Sequence, residues 1–422
     1  MIREVMGTGE YQVCDKCHKE KSIDEFDILK YNGKQYHIHT CKKCRYEIRK
    51  AKKNALSNNI DILIKRKYKE IRPERILDLS LTNIEFIEYD EIFVKLIDYR
   101  DIWLSNYGRV IKKKDDTYVL VKLGYDSNGA ARCVAYKDTY VDGKWVYKKS
   151  TIYIAKMVVQ EFVVNADMRS NVFIWHKGMN KDDNYYKHLY PLNKEQYRIV
   201  KAHYMETGDD SEEFIVKVMN DRKFKPDYWS KASMKPTIAG KGYRGGVGVD
   251  VTSRIYKRWC DMLQRCYNAK FHARNPQYMN CYVCEEWLNF QNFKIWYESH
   301  DYGEESQDLD KDILIKGNTM YSPETCCLAP HIINTLIING TRARGNYPLG
   351  VYFDNEKNKF RASLAVSGEQ IKLGYYDTPE EAFARYKKYK EDFIQDLAEQ
   401  YKEEIPHKLY DALMNWKIEI TD

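Results

Sequence analysis

The sequence has no uninterrupted apolar stretch of about 18 residues, the least that an ordinary transmembrane helix needs. Its first residues, "MIREVMGTGEYQVC", lack the basic-then-apolar order of a secretory signal, so an intracellular setting is the expectation. Its 11 cysteines are an odd number for a disulfide framework, and four of them fall into two CxxC pairs near the start. That usage suits a reducing compartment and metal binding rather than covalent staples. Apolar residues are not scarce: 43% of the chain is hydrophobic and 14% aromatic, with 36 Tyr, which excludes a mainly disordered chain. At 422 residues the chain is too long for one ordinary core, so about two to four domains are expected.

Charge is distributed unevenly. Residues 41–75 hold 13 Lys/Arg against 4 Asp/Glu, although the whole chain carries only +7. A basic cluster in an otherwise balanced chain is the footprint of a polyanion partner, because each neutralised phosphate releases condensed counterions. A solvated helix face is the alternative. Just before this cluster, Cys14 and Cys17 face Cys41 and Cys44 across an intervening loop. Two such knuckles can place four thiolates tetrahedrally around a structural Zn²⁺, and a unit this short has little core without one. His18, His37 and His39 are spare ligands, but four thiolates complete the site. The pattern "CxxC…EF…CKxC" followed by a basic helix, here "RYEIRKAKKNALSNNIDILIKRKYKEI" ending at Pro73, resembles the zinc ribbons that begin phage-encoded HNH proteins.

Residues 86–111 alternate apolar and polar and then turn at "SNYGR", where Asn106 and Gly108 tolerate positive φ; short strands and a tight turn are expected. "WLSNYGRVI" resembles the NUMOD4-like motif "Y-x-[VI]-S-N-x-G-R-V" that precedes HNH domains in phage and intron-encoded endonucleases. Further on, "IYIAKMVVQEFVVNADMRSNVFIWHKGMNKDDNYYKHLYPL" has the outline of an HNH finger: a helix, a hairpin carrying a His, and a returning helix around one divalent metal. That chemistry needs a general-base His to activate water and neighbouring ligands to hold Mg²⁺ or Mn²⁺ on the scissile phosphate. The family writes it "V-H-R-L-V", "[ND]-H-x-D-G-N-K-x-N-N" and "N-L-E-W". By this resemblance His176 stands at the base position, Asn180, Lys181 and Asn184 match, and His188 stands at the last ligand. Three places depart from the family: Ala155 replaces the helix His, Trp175 the residue before the base, and His188 the final Asn. Trp cannot ligate Mg²⁺, so the metal would rest on His188 with Asp182 or Asp183. The resemblance thus implies a fold kept for shape and DNA contact, with Arg109 and Lys181 among the DNA contacts. A nicking enzyme is the alternative.

The five glycines of "GKGYRGGVGV" mark a linker. After it, Trp259, Met262, Leu263 and Cys266 recur at helical spacing, which reads as core. "RIYKRWCDMLQRCYN", "CYVCEEWLNFQNFKIWY" and "LDKDILIKGNTMYSPETCC" together resemble a phage family of divergent HNH-type modules. There Asp310 stands at a metal-ligand position and Lys311 replaces the base His; with an unperturbed pKa of about 10.4, Lys is a poor base at neutral pH. Asp312 and Asn318 are further candidate ligands. Cys281, Cys284, Cys326 and Cys327 are expected in the core rather than around a second zinc, since adjacent thiols seldom both face one ion.

"NYPLGVYFDNEKNKFRASLAVSGEQIKLGYYDTPEEAFARYKKYKEDF" shows three alternating runs, two turns, and a helix opened by Thr378 with Glu381 as a capping box. One strand face carries Val351, Phe353, Phe360, Ala362, Leu364, Ile371 and Leu373; the other carries Tyr352, Arg361, Ser363, Gln370 and Lys372. The segment is similar to the AP2 DNA-binding domain, whose exposed sheet face reads bases in the major groove. The tail that follows reads as a helix running to Pro406 and a second amphipathic one.

The resemblances together imply an α+β multidomain protein. Its expected parts are a zinc ribbon (1–54), a basic helical linker (55–80), a NUMOD4-like and degenerate HNH-like domain (81–205), a linker (206–250), a second HNH-like module (251–345), an AP2-like domain (346–400) and a helical tail (401–422). The function implied is double-stranded DNA binding by a protein of phage homing-endonuclease descent in the cytoplasm of an infected bacterial cell. An active Mg-dependent nicking endonuclease, and a scaffold for a phage or host protein, are the alternatives.

Overall fold

Period-two and period-3.6 patterns both appear along this chain, and the fold follows them segment by segment. The computed structural model describes residues 11–14, 16–26, 28–31, 34–37, 40–45, 47, 71–82, 84, 87–230, 232–303, 307–337, 347–366 and 368–420. It is a mixed α+β structure with small, mostly antiparallel sheets, in two compact units, Met1–Arg66 and Lys67–Asp422. No helix among the described residues is long and apolar enough to cross a membrane.

In the first unit, β1 (Tyr11–Val13) pairs with β2 (Glu20–Ser22), and β3 (Ile28–Tyr31) pairs with β4 (Lys34–His37). Cys14, Phe26 and Cys41 form its small core. Residues 42–45 are helical; most of the expected basic helix, and His39, lie outside the described residues.

The second unit begins with a four-stranded meander, β5 (Phe93–Lys95), β6 (Ile102–Ser105), β7 (Val110–Lys114) and β8 (Thr117–Leu120). Next, β9 (Gly124–Tyr125), β10 (Ala131–Val141) and β11 (Lys144–Tyr153) form a sheet in the order β11-β10-β9. Ile102, Leu104, Cys133 and Ile152 of these strands pack on Met157 and Phe162 of α1 (Ile154–Phe162). A short hairpin, β12 (Phe173–His176) and β13 (Leu189–Leu192), follows. It leads to α2 (Lys194–Thr207), which Asn193 and Gln196 start with a capping box and Gly208 ends in the left-handed conformation.

The expected linker 206–250 is not all linker. Ser211 caps a further helix, α3 (Glu212–Asn220), whose Ile215 and Val218 join Trp175, Leu192 and Val200 in a core of their own. Next come α4 (Arg254–Tyr267), α5 (Ala269–Arg274), β14 (Tyr282–Val283), α6 (Phe290–His300), β15 (Gln307–Asp310), β16 (Met320–Tyr321), β17 (Cys327–Pro330) and α7 (His331–Ile337). Trp259, Met262, Leu263 and Cys266 are buried on one face of α4, as their spacing predicts. Last, β18 (Val351–Asp354), β19 (Lys359–Val366) and β20 (Glu369–Tyr376) form an antiparallel sheet covered by α8 (Pro379–Gln400), which Thr378 and Glu381 begin with the expected capping box. That helix stops at Gln400, short of Pro406, and α9 (His407–Met414) follows.

The tail folds back onto the strands at the start of the second unit. The backbone N–H of Trp145 donates to Glu403 O at 2.8 Å, His407 N and Nδ1 each lie 2.7 Å from Asp138, and Lys408 Nζ lies 2.7 Å from Asp98. Burial pushes the Asp98 carboxyl up, but the Lys408 ammonium and His300 outweigh it and hold it well below the usual range. The Lys408 side chain is itself only 8% exposed. Replacing Lys408 by Met keeps the packed stem and removes the charge, and should lower stability by about 3 kcal/mol, since breaking a buried pair strands the partner. Because the folded-state pKa of Asp98 is depressed, the pair's contribution is complete above the ordinary carboxylate pKa and is lost as pH falls through the depressed value. Urea midpoints measured at neutral and acidic pH should therefore converge for wild type and variant; a constant gap would refute the assignment.

Candidate functional site

The N-terminal unit brings Cys14, Cys17, Cys41 and Cys44 together, with their four Sγ atoms all within 4.8 Å of one another. A Zn²⁺ tetrahedron with bonds of about 2.3 Å needs sulfurs about 3.8 Å apart, so the four fit such an ion. The backbone N–H groups of Lys16 and Cys41 both point at Cys14 Sγ from 3.4 Å. Burial raises the Cys14 thiol, but these donors and Cys17 outweigh it and bring it to about 6. Donors aimed at a sulfur stabilise thiolate, the form that ligates metal. These four cysteines could hold a metal such as zinc.

The hairpin that carries His176 is seated on the "SNYGR" turn. Ser105 Oγ accepts the N–H groups of Tyr107 and Arg109, Asn106 Oδ1 accepts Ile92 N at 2.9 Å, and Asn106 O accepts Tyr186 N at 2.9 Å. Gly108, at φ +81°, lies so close to Asn184 and Ile154 that a Cβ there would overlap both. Asn106 is not at positive φ; Gly108 alone supplies that conformation in the turn. The motif is thus a mount for the hairpin. Arg109 belongs to the mount rather than to an exposed contact surface: it pairs with the buried Glu91 and lies over Phe93.

On the hairpin, His176 is half-buried beside Asn184, and burial lowers its pKa below the usual imidazole value. His188 Nδ1 lies 2.7 Å from Asp183 Oδ2, a partnership across a short turn that the motif pattern places poorly. Asn180 uses its Oδ1 to accept Asp182 N at 3.1 Å, and Lys181 Nζ reaches Asn128 O. Trp175 is 1% exposed and donates Nε1–H to Asp210 at 3.1 Å, while Gly178 N donates to the same oxygen at 2.6 Å. Asp210 carried no sequence signal, because nothing local marks a residue 35 positions away as the hairpin's acceptor. Ala155 packs against the first core. Neither Ala155 nor Trp175 has a side-chain atom that can ligate a divalent cation. Among the described residues, no group of three His, Cys, Asp or Glu ligand atoms gathers as closely as the four cysteines do.

In the second module, Asp310 Oδ1 accepts the N–H groups of Asp312 at 2.6 Å and Ile313 at 2.8 Å. Burial and the neighbouring Asp312 raise its carboxyl. Lys311 Nζ lies 2.6 Å from Asp312 Oδ2 and 2.7 Å from Asn318 O, so an ammonium already occupies the Asp312 carboxylate. Cys281, Cys284, Cys326 and Cys327 are all buried and none is in a disulfide, and burial raises the thiols of Cys281, Cys326 and Cys327. They are core residues.

The C-terminal sheet pairs Val351 with Ala362 and Tyr352 with Arg361, and Arg361 in turn with Tyr375. An irregularity at Ala362/Ser363 then sets Lys372 opposite Ser363 and Gln370 opposite Ala365. Val351, Ala362 and Leu364 pack on Ala382, Phe383 and Tyr386 of α8. On the other face, Arg361 lies over Tyr352 at 5.8 Å and Lys357 over Tyr375 at 3.7 Å. Ser363 departs from expectation: it is only 4% exposed and accepts Gln370 Nε2 at 3.2 Å, so it supports that face rather than presenting itself.

Comparison with known proteins gives no match: no family model, no curated protein and no solved structure aligns with the chain.

Protein prepared without chelator should contain about one zinc per chain, and Cys41→Ser should remove it. Acidification should release the ion, because each thiolate must be reprotonated to leave. Metal-free protein from a zinc-replete preparation would sink this assignment.

Proposed function

We propose that this protein binds double-stranded DNA through several modules of homing-endonuclease descent, and that its HNH-like hairpin is a DNA-facing element with impaired cutting chemistry. The observation that carries the reading is the outer face of the C-terminal sheet. Arg361, Lys372 and Lys357 interleave there with Tyr352 and Tyr375, and none of the three cations forms an ion pair among the described residues. Elsewhere in the second unit, cations such as Arg75, Arg258 and Lys408 meet carboxylates at 2.6–2.9 Å. Unpaired cations on a flat strand face suit phosphates and base edges, which a two-stranded ribbon or small sheet can reach in the major groove. The arrangement of three strands under one helix agrees with the AP2-like resemblance. The cysteine cluster agrees with a zinc ribbon, and the helix, hairpin and returning helix of residues 154–207 agree with an HNH-like finger.

A cutting enzyme is the second reading. It is favoured by one observation: His176 sits half-buried beside Asn184, and burial favours its neutral form, the form a general base requires. Against it stand Trp175 and Ala155, which leave the divalent ion short of ligands. A scaffold for a phage or host protein is a third reading, and failure to shift duplex DNA at low salt would favour it.

Replacing Arg361 and Lys372 together by Ala should weaken duplex binding about tenfold or more. The slope of log K against log salt should fall by about 2, roughly 0.9 for each phosphate no longer neutralised. Unchanged affinity and slope in the double variant would remove the sheet from the interface. Supercoiled DNA with Mg²⁺ or Mn²⁺ should stay closed; nicking that disappears in His176→Ala would establish the cutting reading instead.

A further inference from the structure

An open cavity of about 700 Å³ lies among α4, residues 307–321 and α7, with Trp416 of the tail on one side. Small-molecule sites span about 300–1,000 Å³, so the cavity is of ligand size. Most of the charge on its walls is satisfied internally. Asp308 takes Arg258 at 2.9 Å, His331 Nδ1 at 2.6 Å and Asn334 at 3.1 Å, and Lys311 is held by Asp312.

Two half-buried charged groups remain without an ion pair. Arg265 lies beside Tyr278, its guanidinium 6.0 Å from the ring centre, and hydrogen-bonds Tyr321, but it has no carboxylate at ion-pair distance among the described residues. Asp310 commits Oδ1 to two backbone N–H groups, which fixes the rotation of the carboxylate and leaves Oδ2 as a free acceptor on the cavity wall. His331 adds a third feature: with Nδ1 on Asp308, Nε2 is the open atom of a side chain that is 62% exposed.

A ligand that satisfies both ends must carry an anion for Arg265 and an N–H donor for Asp310. Inorganic phosphate meets only the first demand, and a metal ion only the second. A nucleotide meets both. We propose that this cavity is a nucleotide site: the phosphate binds Arg265 and His331, the base lies beside Tyr278, and the exocyclic amine of adenine, cytosine or guanine donates to Asp310. A free nucleotide and a base extruded from a duplex carry this same chemistry. Only the second source rests on the DNA-binding reading.

Calorimetric titration of the full chain with the four deoxynucleoside monophosphates should show dAMP, dCMP and dGMP binding about tenfold more tightly than dTMP, which has no exocyclic amine and whose only base N–H lies between two carbonyl oxygens that repel a carboxylate. In Asp310→Asn the backbone N–H groups still hold Oδ1, so an amide NH₂ takes the place of the free acceptor. That variant should lose or reverse the base preference without a change in thermal midpoint. Arg265→Lys keeps the charge but loses the planar fork, and should weaken all four ligands about tenfold. No binding at millimolar concentration, or an unchanged base order in Asp310→Asn, overturns the proposal. Once monophosphates bind, 2-aminopurine placed in a duplex identifies the source: brightening on addition of protein assigns an extruded base, and constant emission assigns a free nucleotide. Monophosphate binding without duplex binding would end the DNA-binding reading and leave the cavity assignment standing.

Discussion

The second unit depends on two carboxylates, Asp98 and Asp138, that receive the end of the chain. Asp98 follows the strand β5 and Asp138 lies within β10, and each meets a residue some 270 to 310 positions later. His407 meets Asp138 with its backbone N–H and its ring, which also stacks on Tyr147 at 4.1 Å; Lys408 meets Asp98. Once these two residues are placed, Leu409 and Leu413 are directed into the core shared with α8, and Glu403 is set to accept Trp145 N. The sheet covered by α8 is thereby held in one frame with the hairpin β10–β11. Charge desolvation makes this costly unless every partner is present, so the clasp acts as a check on complete folding as much as a source of stability.

Local rules in the sequence accounted for local structure. The capping box at Thr378, the buried stripe on α4 and the four-cysteine cluster each rest on spacing within a few residues or on paired knuckles, and each is present in the structure. What was not legible is long-range. α3 was hidden because its apolar residues Ile215 and Val218 make sense only against Trp175 and Val200, which belong to other elements. Arg109 looked like an exposed cation until Glu91, buried and 18 positions upstream, claimed it. Ser363 was placed outward by strict alternation, but Gln370 folds across it. Clasp and cavity were invisible for the same reason: charge type can be read from sequence, whereas charge pairing requires coordinates.

Pairing also separates structural from available charge in this molecule. Arg75 meets Glu161 with both side chains at or below 7% exposure, an arrangement that tolerates no loss of either partner. Arg361, Lys372 and Lys357 carry the same charge type without that partner, on a face where water bears the solvation cost. Arg265 is the intermediate case. It is withdrawn from bulk water and has tyrosines beside it rather than a paired carboxylate, and a half-buried guanidinium in that position gains most from an anionic ligand.

The same reasoning explains what holds the His176 hairpin together. Here the residue before the His is a Trp whose indole is fully enclosed, set edge-on against Tyr197 and Tyr204 and tied by Nε1 to Asp210. A side chain of that size contributes about 3–5 kcal/mol when buried, which is enough to organise one hairpin. A carboxylate or amide at position 175 would have to enter a core made by Tyr190, Leu192, Val200 and Ile215, where it would find Asp210 but no cation. A polar side chain there would therefore require this core to be dismantled first, and that makes the hairpin a stable structural element whatever the role of His176.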